Sequence, residues 1–169
     1  MRGRRRRIKF ANNPAPAEHV EALKKYILGA FNAELDLLVE VGELKETCFN
    51  NLCLIYQGIN ELSRVVFSGG LVGIVKDGHV APSPQLYTKL FQRFGWRSCV
   101  VATDKGVKAF LYGNDLLLES VAEIYPPVDS YVAVLDYYDY DVIGVAKWDE
   151  PSKVFKNVFD LGVYLRKLG

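Results

Sequence analysis

The residues of this sequence whose types could do chemistry fall into a few groups, and their spacing limits each one. Cys48, Cys53 and Cys99 are odd in number and give no disulfide framework. Cys48 and Cys53 stand five apart, but no second ligand pair follows, and His19 and His79 are distant in sequence, so no zinc pattern forms. Buried free thiols, packing as small hydrophobes, are the expectation. The glycine-rich stretch SGGLVG (68–73) lacks the spacing and the Lys-Ser ending of a phosphate loop, and reads as a bulge or tight turn. Neither histidine has a nucleophile and a carboxylate close in sequence. Carboxylate pairs such as Asp139 and Asp141 are of the kind surface turns produce. No catalytic residue, metal or cofactor is expected.

Charge is the second resource. The chain holds 21 Lys plus Arg and 20 Asp plus Glu, a net of +1, but the layout is uneven. Six cations (Arg2, Arg4, Arg5, Arg6, Arg7 and Lys9) lie in the first nine residues, and the rest of the chain has 15 Lys plus Arg against 20 Asp plus Glu, a net of −5. Such a run is an arm that touches phosphates, a solvated tail or, in a suitable host, a nuclear localisation signal. A third feature is the stretch FLYGNDLLLE (110–119), where Gly113-Asn114-Asp115 interrupts two apolar runs. Gly113 can end a helix in the left-handed conformation, and Asn114 tolerates the same backbone region. Lacking a side chain, Gly113 also leaves backbone open to close approach by a ligand.

The elements that must position these residues follow from periodicity. The chain of 169 residues is half hydrophobic, enough for a packed core in one large or two small domains. No apolar run is long enough to cross a bilayer, and no secretory signal follows the charged start, so a soluble, intracellular protein is expected. Val20, Leu23, Ile27, Ala30 and Phe31 predict a helix over 18–31, and Leu86, Leu90 and Phe91 another over 85–94. ELDLLVEV (34–41) alternates and predicts a half-buried strand; TCFNNLCLIY (47–56) predicts another. A short helix over 59–64 and a glycine-broken strand over 65–80 follow. Beyond Gly95-Trp96 the texture changes to short strands at 98–103, 131–136, 142–148 and 154–162, with one helix over 105–113 capped by Thr103 or Asp104. Leu116–Leu118 should begin a strand packed in the core. The expected organisation is a basic tail (1–13), a first domain (14–94) and a second, of small sandwich or barrel type (96–169).

The order of motifs in the second half is familiar. FLYGND at the end of a helical turn, then YVAVLD, VIGVAK and a late VFDLG, resembles a PUA domain over Trp96 to Gly169. FLYGN followed by leucines, with the closing VFDLGVYLRK, resembles the Nip-seven family of ribosome-assembly factors. TCFNNLCLIY and SGGLVGIVKDGHVAPSPQLY are more loosely similar to that family's first domain. The resemblance implies an α+β protein, with an N-terminal mixed α/β domain of mainly antiparallel sheet and a C-terminal PUA pseudo-barrel. It implies a non-catalytic, cytoplasmic monomer (nucleolar in a eukaryote) that contacts ribosomal RNA or pre-rRNA and other assembly proteins. It places Lys105, Lys108, Tyr112, Gly113 and Asn114 on one wall of an RNA groove, with VIGVAKW and VFKNVFDLGVYLRK supplying more surface.

RNA needs cations for phosphates and flat faces for bases. The cations available are Lys105, Lys108, Lys147, Lys153, Lys156, Arg166 and Lys167; Trp148, Phe155 and Tyr164 either offer stacking faces or pack in the core. Against this, Trp96–Gly169 holds 8 Lys plus Arg and 11 Asp plus Glu, a net of −3. The expectation is either a local basic strip on an acidic body, with modest affinity, or help from the Arg run. DYYDYD (136–141) is either a solvated hairpin loop or a protein-binding surface. A protein adaptor, or an RNA-modifying enzyme targeted by its second domain, are the competing readings.

Overall fold

The computed structural model describes residues 13–57 and 70–163, and the structural statements below concern these. The Arg run, the short helix expected over 59–64, the part of the expected strand over 65–69, and Tyr164, Arg166 and Lys167 lie outside the described residues. Helix α1 (Ala17–Phe31) buries the five apolar residues whose spacing predicted it, and ends where Asn32 turns left-handed at φ 50°. Strands β1 (Asn13–Pro14), β2 (Leu44–Phe49), β3 (Leu52–Gln57), β4 (Leu71–Lys76) and β5 (His79–Pro82) form an antiparallel sheet in chain order. Asp77-Gly78 joins β4 to β5 with φ 49° and 81°, the positive pair a tight hairpin turn requires. Helix α2 (Pro84–Phe94) follows. The Ser83 hydroxyl caps it by accepting from the Leu86 N–H at 3.0 Å and donates to the Leu71 carbonyl at 2.7 Å.

The second sheet contains β6 (Cys99–Ala102), β7 (Leu116–Leu117), β8 (Val121–Tyr125), β9 (Tyr131–Asp136), β10 (Val142–Asp149) and β11 (Val154–Asp160), in the order β7-β11-β10-β9-β6-β8. Every pairing is antiparallel except β6 with β9, which is parallel. Helix α3 (Asp104–Leu111) lies in the connection between them, its first turn capped by Thr103 accepting from Gly106 N–H at 3.1 Å. Register shifts along β10, between Val142 and Gly144 and between Val145 and Ala146, bend the sheet into a half-barrel. The fold class is thus α+β, with the mainly antiparallel first sheet expected.

Both faces of the second sheet are covered. Val100, Ala102, Val132, Val134, Ile143, Ala146 and Phe155 close over Val107 and Phe110 of α3. The alternate residues Cys99, Val101, Ala133, Leu135, Val145 and Phe159 join α1, α2 and the first sheet in one larger interior. Fully burying a ring such as Phe110 or Phe159 stabilises by roughly 1.5–3 kcal/mol each. One polar node crosses that interior. The Tyr26 hydroxyl donates to the Tyr131 carbonyl at 2.6 Å and lies 2.8 Å from the Tyr87 hydroxyl and 2.7 Å from Ser98 Oγ. Burial pushes its pKa up to about 12, so it stays a neutral donor.

Four local expectations are corrected. Residues 34–41 form no strand but two 3-10 turns, Leu35–Leu37 and Val41–Glu43. The alternation misled because burial falls four residues apart: Leu35 and Val39 are buried, Leu37 is 59% exposed, and the Leu38 and Val39 amides donate to the Leu35 carbonyl. TCFNNLCLIY is not one strand but the hairpin β2–β3, reversed at Asn50, which takes the φ of 54° that asparagine tolerates. That reversal sets Cys48 opposite Cys53, and they are disulfide-bonded rather than free thiols; Cys99 is the buried free thiol expected. Of Leu116–Leu118 only Leu116 is core, while Leu117 and Leu118 are about half exposed because the chain turns through a 3-10 segment at Leu118–Ser120.

Gly144 sits where no side chain fits: a Cβ there would lie 2.3 Å from the Phe159 carbonyl oxygen and 2.9 Å from Asp160 Cα, backbone atoms that cannot step aside. Gly144→Ala should therefore lower the unfolding free energy in urea by about 1–3 kcal/mol. Gly42→Ala, where a Cβ meets nothing within 4 Å, should change it by less than about 0.5 kcal/mol. Equal effects would contradict the tight β10–β11 packing described.

Candidate nucleic-acid interface

The corner after α3 is built from helix-end geometry. Tyr112 closes the helix with φ −82° and ψ 0°, and Gly113 follows at φ 92°, a region that favours glycine. Gly113 and Asn114 are both exposed. Their amides are used internally: Gly113 N–H donates to the Phe110 carbonyl at 2.9 Å and Asn114 N–H to the Ala109 carbonyl at 3.2 Å. A ligand at this corner meets glycine surface rather than free N–H donors.

Asn157, on β11, holds the corner in place. Its Nδ2 donates to the Phe110 carbonyl at 3.0 Å and to the Asn114 carbonyl at 3.2 Å. In return Asp115 Oδ1 accepts the Asn157 backbone N–H at 2.9 Å, and Asp115 Oδ2 accepts from Lys156 Nζ at 3.1 Å. Sequence reasoning missed Asn157 and Asp115. The signal available was Asn157 two residues after Phe155, a polar side chain at an inward position of an otherwise apolar strand. Below the corner, α3 and the β7 segment enclose a groove of about 320 Å³ lined by Lys105, Ala109, Asn114, Asp115, Leu117 and Glu119, among others.

The predicted site residues are brought together only in part. Lys105 and Asn114 share the groove wall, and no ion pair engages Lys105 among the described residues. Lys108, one turn further along α3, is ion-paired with Asp104 at 2.8 Å, which raises its pKa. Lys156 reaches the corner through Asp115 and lies opposite Lys147 in the β10–β11 register. Lys147 sits 5.2 Å above the Tyr131 ring, and the Tyr131 hydroxyl bonds His79 Nδ1 at 3.1 Å. Burial, and then the Lys147 charge, lower the His79 pKa. Lys153, in the β10–β11 turn at φ 57°, is ion-paired with Glu150. Of the strip expected from Lys147, Lys153 and Lys156, Lys147 and Lys156 are thus cross-strand neighbours and Lys153 lies in the turn, and Lys153 and Lys156 each already hold a carboxylate.

The aromatic candidates differ in availability. Trp148 packs against Phe155 with ring centroids 4.8 Å apart and donates its indole N–H to Glu150 at 2.6 Å. Lys153, first, and then Trp148, by bonding to it, depress the Glu150 pKa. Phe155 is 1% exposed and belongs to the core, the alternative to a stacking face. Tyr112 is 78% exposed beside Gly113, the open ring nearest the groove in sequence. In DYYDYD, the Tyr140 hydroxyl bonds Glu123 on β8, which also accepts from Tyr125 at 2.5 Å; the Tyr125 bond and then the Tyr140 bond hold the Glu123 pKa down. Tyr137 and Tyr138 in the same turn are 50% and 75% exposed.

Comparison with known proteins bears on this half most directly. Residues 98–169 match the family described as the UPF0113 PUA domain. Three solved structures resemble the chain over nearly its full length. A conserved PUA domain protein from Thermoplasma acidophilum is 14% identical, with 92% of this chain and 97% of that one covered and a TM-score of 0.55. A hypothetical protein from Pyrococcus horikoshii OT3 is 13% identical, with coverage of 89% and 94% and a TM-score of 0.58. A PUA domain from Aeropyrum pernix K1, solved as a tartrate complex, is 14% identical, with coverage of 95% and 91% and a TM-score of 0.50. No curated protein matches the chain. The half-barrel of the second sheet with α3 is a PUA domain; at these identities the likeness to whole structures is one of fold.

Asn157→Ala leaves the Phe110 and Asn114 carbonyls without their side-chain donor. It should cost about 0.5–1.5 kcal/mol of stability and speed amide hydrogen exchange at Gly113–Leu116 relative to the rest of α3. Unchanged exchange at those amides would show that the corner is held by something else.

Proposed function

We propose that this protein is a non-catalytic RNA-binding factor acting in large ribosomal subunit assembly and pre-rRNA processing. The observation that carries the RNA reading is the groove of about 320 Å³ beside an exposed glycine corner, with Lys105 and Asn114 in its wall, on a PUA domain. A single strand fits such a site because its bases can splay onto open faces, here Tyr112, while its backbone passes close to Gly113. The assembly role rests on the likeness of FLYGND, VIGVAK and VFDLGVYLRK to the Nip-seven family and on the pairing of a first α/β sheet with the PUA domain.

Electrostatics fixes the expected strength. Lys108, Lys153 and Lys156 each hold a carboxylate, in pairs whose side chains are 37–70% exposed. Exposed pairs are worth only about 0–1 kcal/mol, so a phosphate can displace the carboxylate at small cost. The displaced acids then stay nearby and repel the strand. Binding of modest affinity and steep salt dependence follows, with the six cations of residues 1–9 available to add long-range attraction.

A second reading has its own observation. Tyr137 and Tyr138 stand exposed among Asp136, Asp139 and Asp141, an acidic aromatic surface suited to a basic protein partner. In an assembly factor this surface and the groove serve together.

Fluorescence anisotropy of a labelled single-stranded RNA against the full chain tests the proposal. Log affinity should fall against log salt with a slope of about −0.7 per neutralised phosphate. Lys105→Ala should weaken binding, and the combined Lys147→Ala, Lys153→Ala, Lys156→Ala variant should weaken it and flatten the slope. Parent-like binding by both variants at moderate salt would overturn the assigned surface.

A further inference from the structure

The β2–β3 hairpin gathers donor groups that the RNA reading leaves unused. Cys48 and Cys53 face each other in register and are joined as a disulfide. Glu46 precedes Cys48 by two residues, so its side chain leaves the same face of the strand. Its Oε1 lies 3.5 Å from Cys48 Sγ, and its Oε2 lies 2.6 Å from Nδ1 of His19, in the first turn of α1. The donor atoms of Glu46, Cys48 and Cys53 all lie within 4.8 Å of one another. The Glu46 side chain is only 9% exposed, whereas Cys48 opens to solvent.

The oxidised form leaves this arrangement incomplete. A disulfide sulfur carries no proton, so Oε1 gains no hydrogen bond from Cys48 although it is turned toward it. Two thiolates and a carboxylate within reach of one point form the mixed sulfur and oxygen set that suits a borderline-soft divalent ion. The imidazole behind the carboxylate fixes its orientation, as outer groups do around metal ligands.

We propose that, once the Cys48–Cys53 bond is reduced, Cys48, Cys53 and Glu46 bind a divalent cation of the zinc class, with His19 as the positioning residue of the carboxylate and solvent completing the shell through the open side. The disulfide and the ion are alternative occupants of one place. A dithiol supplies the reduction: it gives two electrons and two protons to the S–S bond, yielding two thiols, and becomes a disulfide itself. The cation then takes the place of both thiol protons, which pass to solvent. Either occupant ties β2 to β3 beneath the start of α1, so the hairpin stays closed in reducing and in oxidising surroundings.

Cobalt(II) is the probe. The full chain is reduced with a dithiol, freed of it without air, and titrated with cobalt(II), and the thiolate-to-cobalt charge-transfer absorption is read. The reduced parent should show the band and the oxidised parent should not; zinc should displace cobalt and protect two of the three cysteines from a thiol reagent. Cys48→Ser and Cys53→Ser should each abolish the band. His19→Gln and Glu46→Gln keep both thiols, and so remain informative if a serine variant fails to fold; His19→Gln should weaken cobalt binding about 10–100-fold, and Glu46→Gln at least as much. No band in the reduced parent would overturn the proposal. So would a band that survives loss of both hairpin cysteines, which would assign the metal to Cys99, or parent-like affinity in His19→Gln and Glu46→Gln.

Discussion

The candidate site depends on the clasp around Asn157. Its Nδ2 holds the carbonyls of Phe110 and Asn114, and its backbone N–H bonds Asp115, so the last turn of α3 and the chain leaving it are tied to β11 next to the β7–β11 pairing. With that clasp in place, Gly113 projects into solvent, Asp115 is aimed at Lys156, and the groove lined by Lys105 keeps its shape. Hydrogen bonds of this kind contribute only about 0.5–1.5 kcal/mol net when made. The Phe110 carbonyl also accepts the Gly113 N–H, so the side-chain bonds reinforce a corner that backbone bonds already shape.

The second constraint is the shared interior. The face of the second sheet that carries Cys99, Ala133 and Val145 packs into the same cluster as α1, α2 and the first sheet, so the two sheets hold each other. The Tyr26 hydroxyl, bound to the Tyr131 carbonyl and close to Tyr87 and Ser98, fixes that contact where apolar packing alone would allow sliding. Tyr131 in turn carries Lys147 over its ring and His79 at its hydroxyl. Lys147 is thereby set on the face away from Trp148 and Phe155, as strand alternation requires.

Much of the fold was legible because it follows from period and caps. The five buried positions of α1, the Thr103 cap of α3 and its end near Gly113 were all written in local residues. The misreadings share a cause: a local pattern that tertiary contacts use differently. Leu35 and Val39 alternate with polar residues yet meet the core at a spacing of four, and Asn50 reverses a stretch whose apolar residues read as one strand. That reversal is also why the cysteine pair was invisible: a separation of five becomes direct opposition only when the hairpin is known. The site was legible as a glycine corner with nearby lysines, but the pairing of Lys108, Lys153 and Lys156 with Asp104, Glu150 and Asp115 was not. The Lys156–Asp115 pair joins residues 41 apart in sequence, which charge counting cannot foresee.

The central claim is that a single-stranded RNA lies along the α3–β7 groove and against the glycine corner. Titrating such an RNA into the isotopically labelled full chain, and following every backbone amide by NMR, tests it most directly. The largest shifts should fall at Lys105, Gly113, Asn114 and Asp115, fading as salt rises. Shifts confined to the Tyr137–Asp141 turn or to the first sheet, with the corner amides unmoved, would contradict it.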